Sequence, residues 1–401
     1  MSGSSWIDQL KLKASIGQQG NDSITSYAYT DMYSLTKSSD TSMAPSFSRL
    51  GNDEITWETT TNANLGVEFS FWKGRVSGGL DAYYKKTSDL LFWISIPESA
   101  GTRGYYGNIG DIANRGLELS LNLTPVRTRT VEWNIGGNIA TNYAWILTLP
   151  ESKMGDNGGY YESGYWWTPG GVMRNYMNYE YAGVGDDGQA LYWYDEDLSP
   201  AGGKVTDNVS NRPGVKHSGT TTTTADATRY AQGTLLPKFF GGFNTSLRVG
   251  NFDVSASFDY QIGGRIADNV YSKLMTPATS SSDAGYNYHK DIFKAWTPNN
   301  TSSDIPRWQF GDSYAAAGSS RFLVNASYIN FQSFSVGYNL PVSKLGMGKL
   351  ISRIRIYAVG ENLGYISARK GFDPRASLSG TSSTNVYSPV RSISGGLQVT
   401  F

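Results

Sequence analysis

The chain has 401 residues, with 34 Lys and Arg against 34 Asp and Glu, so its formal net charge is zero and it carries no basic footprint for nucleic acid. Cysteine is absent, which excludes disulfides and thiolate metal sites. Mean hydropathy is −0.38, and the longest largely apolar run, 90–96, broken only by Ser95, is far short of the roughly 18 residues that a spanning helix needs, which excludes a helical membrane protein.

The chain is instead built from alternating stretches. Leu10, Leu12, Ala14 and Ile16 alternate with Lys11, Lys13 and Ser15. Leu65, Val67, Phe69 and Phe71 alternate with Gly66, Glu68 and Ser70, and Val76, Gly78, Leu80 and Ala82 with Ser77, Gly79 and Asp81. Leu117, Leu119, Leu121 and Leu123 alternate with Glu118, Ser120 and Asn122, and Trp133, Ile135, Gly137 and Ile139 with Asn134, Gly136 and Asn138. Phe243, Leu247 and Val249 flank Asn244, Ser246 and Arg248. Phe252, Val254, Ala256, Phe258 and Tyr260 alternate with Asp253, Ser255, Ser257 and Asp259. The same pattern follows at 333–340, 353–358 and 396–401, where Leu397, Val399 and Phe401 share one face and Gln398 and Thr400 the other. Side chains alternate along a strand, so the chain predicts about ten amphipathic strands, each near the roughly 9–11 residues that cross a bilayer at a tilt.

A soluble sandwich also alternates, but with evenly spaced turns. Here short to moderate connections near 72–75, 124–130, 250–251 and 341–349 alternate with long ones near 19–56, 88–110, 147–235, 264–326 and 364–389. Long loops on one side and short turns on the other mark an outer-membrane β-barrel with external loops and periplasmic turns. The parity holds if residues 174–195 form an extra hairpin outside the membrane. The expected fold is all-β: a transmembrane antiparallel β-barrel with long extracellular loops. The 27 Tyr and 11 Trp suit aromatic girdles, and the 46 Gly suit strand bends and lumen-facing positions. The N-terminal residues have neither a basic nor an apolar leader segment, so the chain is expected to be a piece of a longer protein.

Four segments resemble one family: 10–21 (LKLKASIGQQGN), 107–119 (GNIGDIANRGLEL), 326–341 (ASYINFQSFSVGYNLP), and 354–363 (IRIYAVGENL) with 371–374 (GFDP). They are similar to the C-terminal barrel part of SusC/RagA-like TonB-dependent outer-membrane transporters. The resemblance spans nearly the whole chain. It implies that residues 1–401 are the C-terminal part of the receptor barrel, with plug domain and earlier strands absent. It further implies import of oligosaccharides or peptides with a SusD-like surface lipoprotein as lid, and coupling to the TonB complex through the missing N-terminal part. The runner-up readings are a passive porin or adhesin barrel and a soluble carbohydrate-binding β-protein. The ending Gly396-x-x-Val399-x-Phe401 resembles the assembly signal of outer-membrane barrels. Two unpaired edges are expected, so the chain alone should aggregate or close on itself by pairing 10–17 with 396–401.

Competing chemistry is weak. Gly183 to Gly188 fits G-x-G-x-x-G, but an aromatic strand-like stretch, not a helix, follows it. Asp186, Asp187, Asp195, Glu196 and Asp197 are candidate ligands for a loop calcium, though their spacing fits no EF-hand. No other cofactor is expected. His217 and His289 form no zinc-type pair, no G-x-S-x-G elbow occurs, and no enzyme is expected. The Thr220 to Thr224 run reads as a loop tip. The candidate contact residues for substrate or lid are Tyr160, Tyr161, Tyr165, Trp166, Trp167, Tyr192 and Trp193, whose rings stack on sugars or line a peptide cleft. Packing of the loops on one another is the competing role for the same rings.

Overall fold

The computed structural model describes residues 6–39, 42–97, 99, 101–155, 158–197, 209–210, 217–281, 285, 287–342, 344, 346, 351–376 and 389–401. Ten strands form one antiparallel meander in chain order. They are β1 (Ile7–Asn21), β2 (Glu58–Phe71), β3 (Val76–Ser88), β4 (Asp111–Arg127) and β5 (Val131–Thr148), then β6 (Phe239–Val249), β7 (Phe252–Ile262), β8 (Tyr328–Leu340), β9 (Arg353–Ser367) and β10 (Ser392–Thr400). Each stretch singled out by alternation lies in one of them.

Register carries the two faces across the wall. Leu12, Val67, Leu80, Leu119 and Ile139 are successive partners on β1 to β5. One residue away, Lys11, Glu68, Gly79, Ser120, Asn138, Gly242, Asp259 and Asn330 form the neighbouring polar row across eight strands. Among the described residues no second sheet covers the apolar rows, and Leu12 keeps 79% of its surface exposed. Leaving such side chains in water forfeits roughly 1.5–3 kcal/mol each. A single-layer wall resolves this only by facing lipid with one side and the lumen with the other. Leu117, Leu119, Leu121, Phe252, Val254 and Phe258 therefore point to lipid, and Glu118, Asn122, Asp253 and Asp259 to the lumen. Phe243, Phe258 and Phe331 stack in sequence across β6, β7 and β8 on the lipid side, with centroids 4.6 Å apart at each step.

Lumen-facing glycines let long side chains reach over a strand. Arg355 on β9 crosses Gly337 on β8 to pair with Asp253 on β7 at 2.5 Å, and a Cβ at Gly337 would meet that guanidinium. Lys13 on β1 likewise crosses Gly66 to reach Asp81 at 3.2 Å while also pairing with Glu68 at 2.9 Å. β1 and β10 are the sheet's two edges and do not pair with each other, so self-closure is not adopted.

The long connections hold the apolar core. Trp166, Tyr176, Met177, Tyr192, Tyr230, Ile266, Met275 and Phe322 are all buried there, whereas apolar residues of the mid-wall such as Leu65, Leu80 and Leu119 are exposed. The connection between β5 and β6 builds most of it, from small sheets of its own. The expected extra hairpin at 174–195 is divided: Tyr181–Val184 pairs with Ala190–Tyr194, while Asn175–Tyr179 joins Tyr165–Trp167 and Arg229–Thr234. The strand parity is unchanged. The Thr220 to Thr224 run is not a free tip, because Gly219–Thr221 pairs with Ala190–Tyr194.

Candidate functional site

The aromatic residues singled out in the sequence gather in two small sheets of the β5–β6 connection. Tyr160–Glu162 and Tyr165–Trp167 form a hairpin closed by Ser163 and Gly164, both with positive φ. That is the backbone demanded by a two-residue type I′ turn, and it explains the glycine. The hairpin places Tyr160 opposite Trp167 with rings stacked at 6.3 Å, while Tyr165 packs on Tyr176 at 4.9 Å. Trp166 turns to the opposite face and packs on Met177, both buried. Tyr161 lies on Arg229, whose guanidinium is 4.7 Å from the rings of both Tyr161 and Tyr179.

In the second sheet Tyr192 is buried against Ala190 and Ala227, and its hydroxyl donates to the Tyr314 carbonyl at 2.5 Å. Trp193 points the other way and stacks on His217 at 4.4 Å, with the imidazole Nε2 3.2 Å from a Glu180 carboxylate oxygen. All seven candidate residues thus have partners within the loops. Trp166 and Tyr192 are enclosed and hold the loops together, while Tyr160, Tyr161, Tyr165, Trp167 and Trp193 keep solvent-reachable surface. Burial, with the nearby Glu162, pushes the Tyr160 phenol up to about 12, and burial takes Tyr181 up to about 12 as well. Burial also raises Tyr176 and Tyr192. These phenols stay neutral hydrogen-bonding groups at physiological pH.

Two features escape the sequence reading. A cavity of about 610 Å³ lies beside the short helix Asn269–Leu274, lined by Asn269, Lys273, Pro277, Thr279, Asn287 and Tyr288. A second, of about 300 Å³, is lined by Gln189, Thr222, Arg307, Asp312 and Tyr314. Their walls come from segments far apart in sequence and carry no local signature. Arg321 sits 5.5 Å from the Tyr181 ring and 5.0 Å from Phe322 and donates to the Ala315 carbonyl at 2.7 Å, joining the two long loops.

The glycine-rich 183–188 segment is a hairpin turn, with Gly185 N–H donating to Gln189 and Gly188 N–H to Gly185. Gly188 is required there: its φ is +81°, and a Cβ would strike Trp296. No helix follows, so it is no dinucleotide site. Asp195 is buried and accepts from the Asp197 N–H, while Asp186 and Asp187 are exposed in the turn. Among the described residues no three His, Cys, Asp or Glu side chains converge on a metal-sized site. His289 pairs with Asp291 in the connection between β7 and β8, whereas His217 pairs with Glu180. At the other end of the chain Gly396 lies under the Tyr357 ring, which leaves no room for a Cβ, and Val399 pairs with Ile354. Phe401 is exposed on the lipid side of β10.

A single-layer meander with lipid-facing apolar rows, a polar lumen face and loops on one side defines the wall of an outer-membrane β-barrel. The family model described as TonB dependent receptor-like, beta-barrel matches residues 3–363, and the chain belongs to that family. It is 29% identical over 420 residues to TonB-dependent receptor P3 of Formosa agariphila, covering 99% of this chain and 40% of that protein. It is 27% identical over 384 residues to TonB-dependent receptor SusC of Bacteroides thetaiotaomicron, covering 92% and 35%. The structure of the RagAB peptide transporter superposes with a TM-score of 0.82 at 25% identity, over 100% of this chain and 42% of that one. The chain therefore spans about 40% of the length of the curated relatives it matches. It is a partial barrel of the bacterial outer membrane, in a receptor-barrel family rather than an enzyme family.

Proposed function

We propose that the chain forms the C-terminal wall and external loops of an active outer-membrane importer of oligosaccharides or peptides. The importer works with a SusD-like lipoprotein lid and draws energy through TonB, with the plug and remaining strands supplied by the rest of the protein. The observation that carries this reading is the ten-strand wall whose apolar core lies in its one-sided loops, together with its likeness to SusC and to the RagAB peptide transporter. Loops that are packed and aromatic at the outer mouth suit capture of a sugar or peptide, or docking of a lid. Tyr160, Tyr161, Tyr165, Trp167 and Trp193 supply the reachable surface, with Trp166 and Tyr192 setting the shape beneath. The test is uptake of labelled oligosaccharides and labelled peptides by cells expressing the full-length protein, with and without TonB and the lipoprotein. Uptake of one class that requires both partners is expected. Uptake independent of TonB would instead make the barrel a passive porin.

A further inference from the structure

We propose that the groove between the first two short turns binds the headgroup phosphate of an anionic phospholipid of the inner, periplasmic leaflet. The inference rests on the outer-membrane barrel reading, which puts short turns at that leaflet.

The groove, about 630 Å³, is lined by Trp72, Val76, Leu123 and Pro125, with Lys73 and Arg75 among them. Its floor continues the lipid face. Val76 and Leu123 are register partners at the lower end of the apolar rows of β3 and β4. Its opening comes from a bulge. Between Leu123 and Val126 strand β4 gains one residue over β5, so Thr124 and Pro125 swing out of the ladder. Pro125 has no N–H to lose there. Thr124 N–H donates to the Arg75 carbonyl at 2.7 Å and ties the two turns together.

The rim is cationic. Lys73 and Arg75 are exposed, and among the described residues neither has a carboxylate partner. At this turn Asp8 accepts from Gly74 N–H and from the Ser70 hydroxyl on the lumen side of β2, and it does not line the groove. Charge continues around this edge of the wall. The described residues of the short connections 72–75, 128–130, 250–251 and 341–352 carry Lys73, Arg75, Arg129 and Lys344 and no Asp or Glu, in a chain whose net charge is zero. Trp6, Phe71 and Trp72 cluster beside the groove, with Trp6 5.3 Å from Phe71 and 5.9 Å from Trp72, as an aromatic belt at headgroup depth. An apolar floor open to lipid, a belt beside it and two unpaired cations at its mouth match an acyl chain joined to a phosphate. A soluble anion would use the cations alone.

The test uses the full-length protein, folded by heat-modifiability, titrated in detergent with phosphatidylglycerol or phosphatidylcholine and read by native mass spectrometry. Wild type should retain phosphatidylglycerol in preference to phosphatidylcholine. The double variant Lys73→Gln/Arg75→Gln should lose about thirtyfold in phosphatidylglycerol affinity, at roughly 1 kcal/mol for each cation near a lipid surface. Lys11→Gln, on the lumen face, should leave that affinity unchanged. Equal retention of the two lipids, an unchanged double variant, or displacement by inorganic phosphate at the lipid's own concentration would each overturn the proposal. Failure of the wild type to enter lipid nanodiscs would instead strike the barrel reading itself.

Discussion

At the residue scale, the loop aromatics divide by burial, and burial decides what each can do. Tyr192 is enclosed and its hydroxyl is committed to Tyr314, 122 positions along the chain. Tyr192→Ala should therefore cost about 3–5 kcal/mol in the stability of the loop cap, the usual penalty for emptying a buried aromatic site. Tyr192→Phe should cost only about 1 kcal/mol, the net worth of one hydrogen bond. Hydrogen exchange over Ala190–Tyr194 in the folded protein reads both, and equal protection in the two variants would show that the ring does not hold the cap. Tyr161 keeps 39% of its surface exposed over Arg229. Its change to Ala should leave protection within about 0.5 kcal/mol and weaken binding of the imported ligand or lid, measured by calorimetry. Loss of protection without loss of binding would assign Tyr161 to packing.

At the element scale, β10 closes the described sheet on one side. Its inner face is shaped around Tyr357, which covers Gly396, and its outer face carries Leu397, Val399 and the exposed Phe401. We propose that Gly396, Val399 and Phe401 serve as the recognition signal for insertion into the outer membrane. Replacing Phe401 by Asp in the full-length protein should sharply lower the heat-modifiable, membrane-inserted fraction. A Phe401→Tyr change, which keeps an aromatic ring on the lipid side, should preserve it. Normal insertion of the Asp variant would remove the signal role and leave β10 as an ordinary wall strand.

At the scale of the whole molecule, the wall has two free edges among the described residues, at β1 and β10. Each presents unpaired N–H and C=O groups, and in hydrocarbon every such group costs several kcal/mol, so a stable membrane form needs further strands or self-closure. The chain also spans only about 40% of its curated relatives. Residues 1–401 expressed alone, in cells lacking the full-length protein, should therefore give no TonB-dependent growth on its substrate. Restored growth would show that these ten strands are sufficient and would overturn the partial-barrel account of transport.

The ten strands were legible in the amino-acid order because alternation has a period of two and is a local property. Leu117 to Leu123 against Glu118 to Asn122 can satisfy lipid on one side and water on the other in only one register. The one-sided long loops followed from the same pattern, as did the lumen and lipid faces. The loop cap was not legible. Trp166 on Met177, Trp193 on His217 and Tyr192 on Tyr314 are contacts between segments whose own patterns specify no partner, so composition showed that aromatics were present but not which ones are enclosed. The lipid groove depends on a bulge of one residue at 123–126, and its cations depend on a neighbouring turn. Pro125 hints at the break. Only the pairing of β4 with both β3 and β5 sets where the extra residue goes, because a bulge is a mismatch between strands and not a property of either one alone.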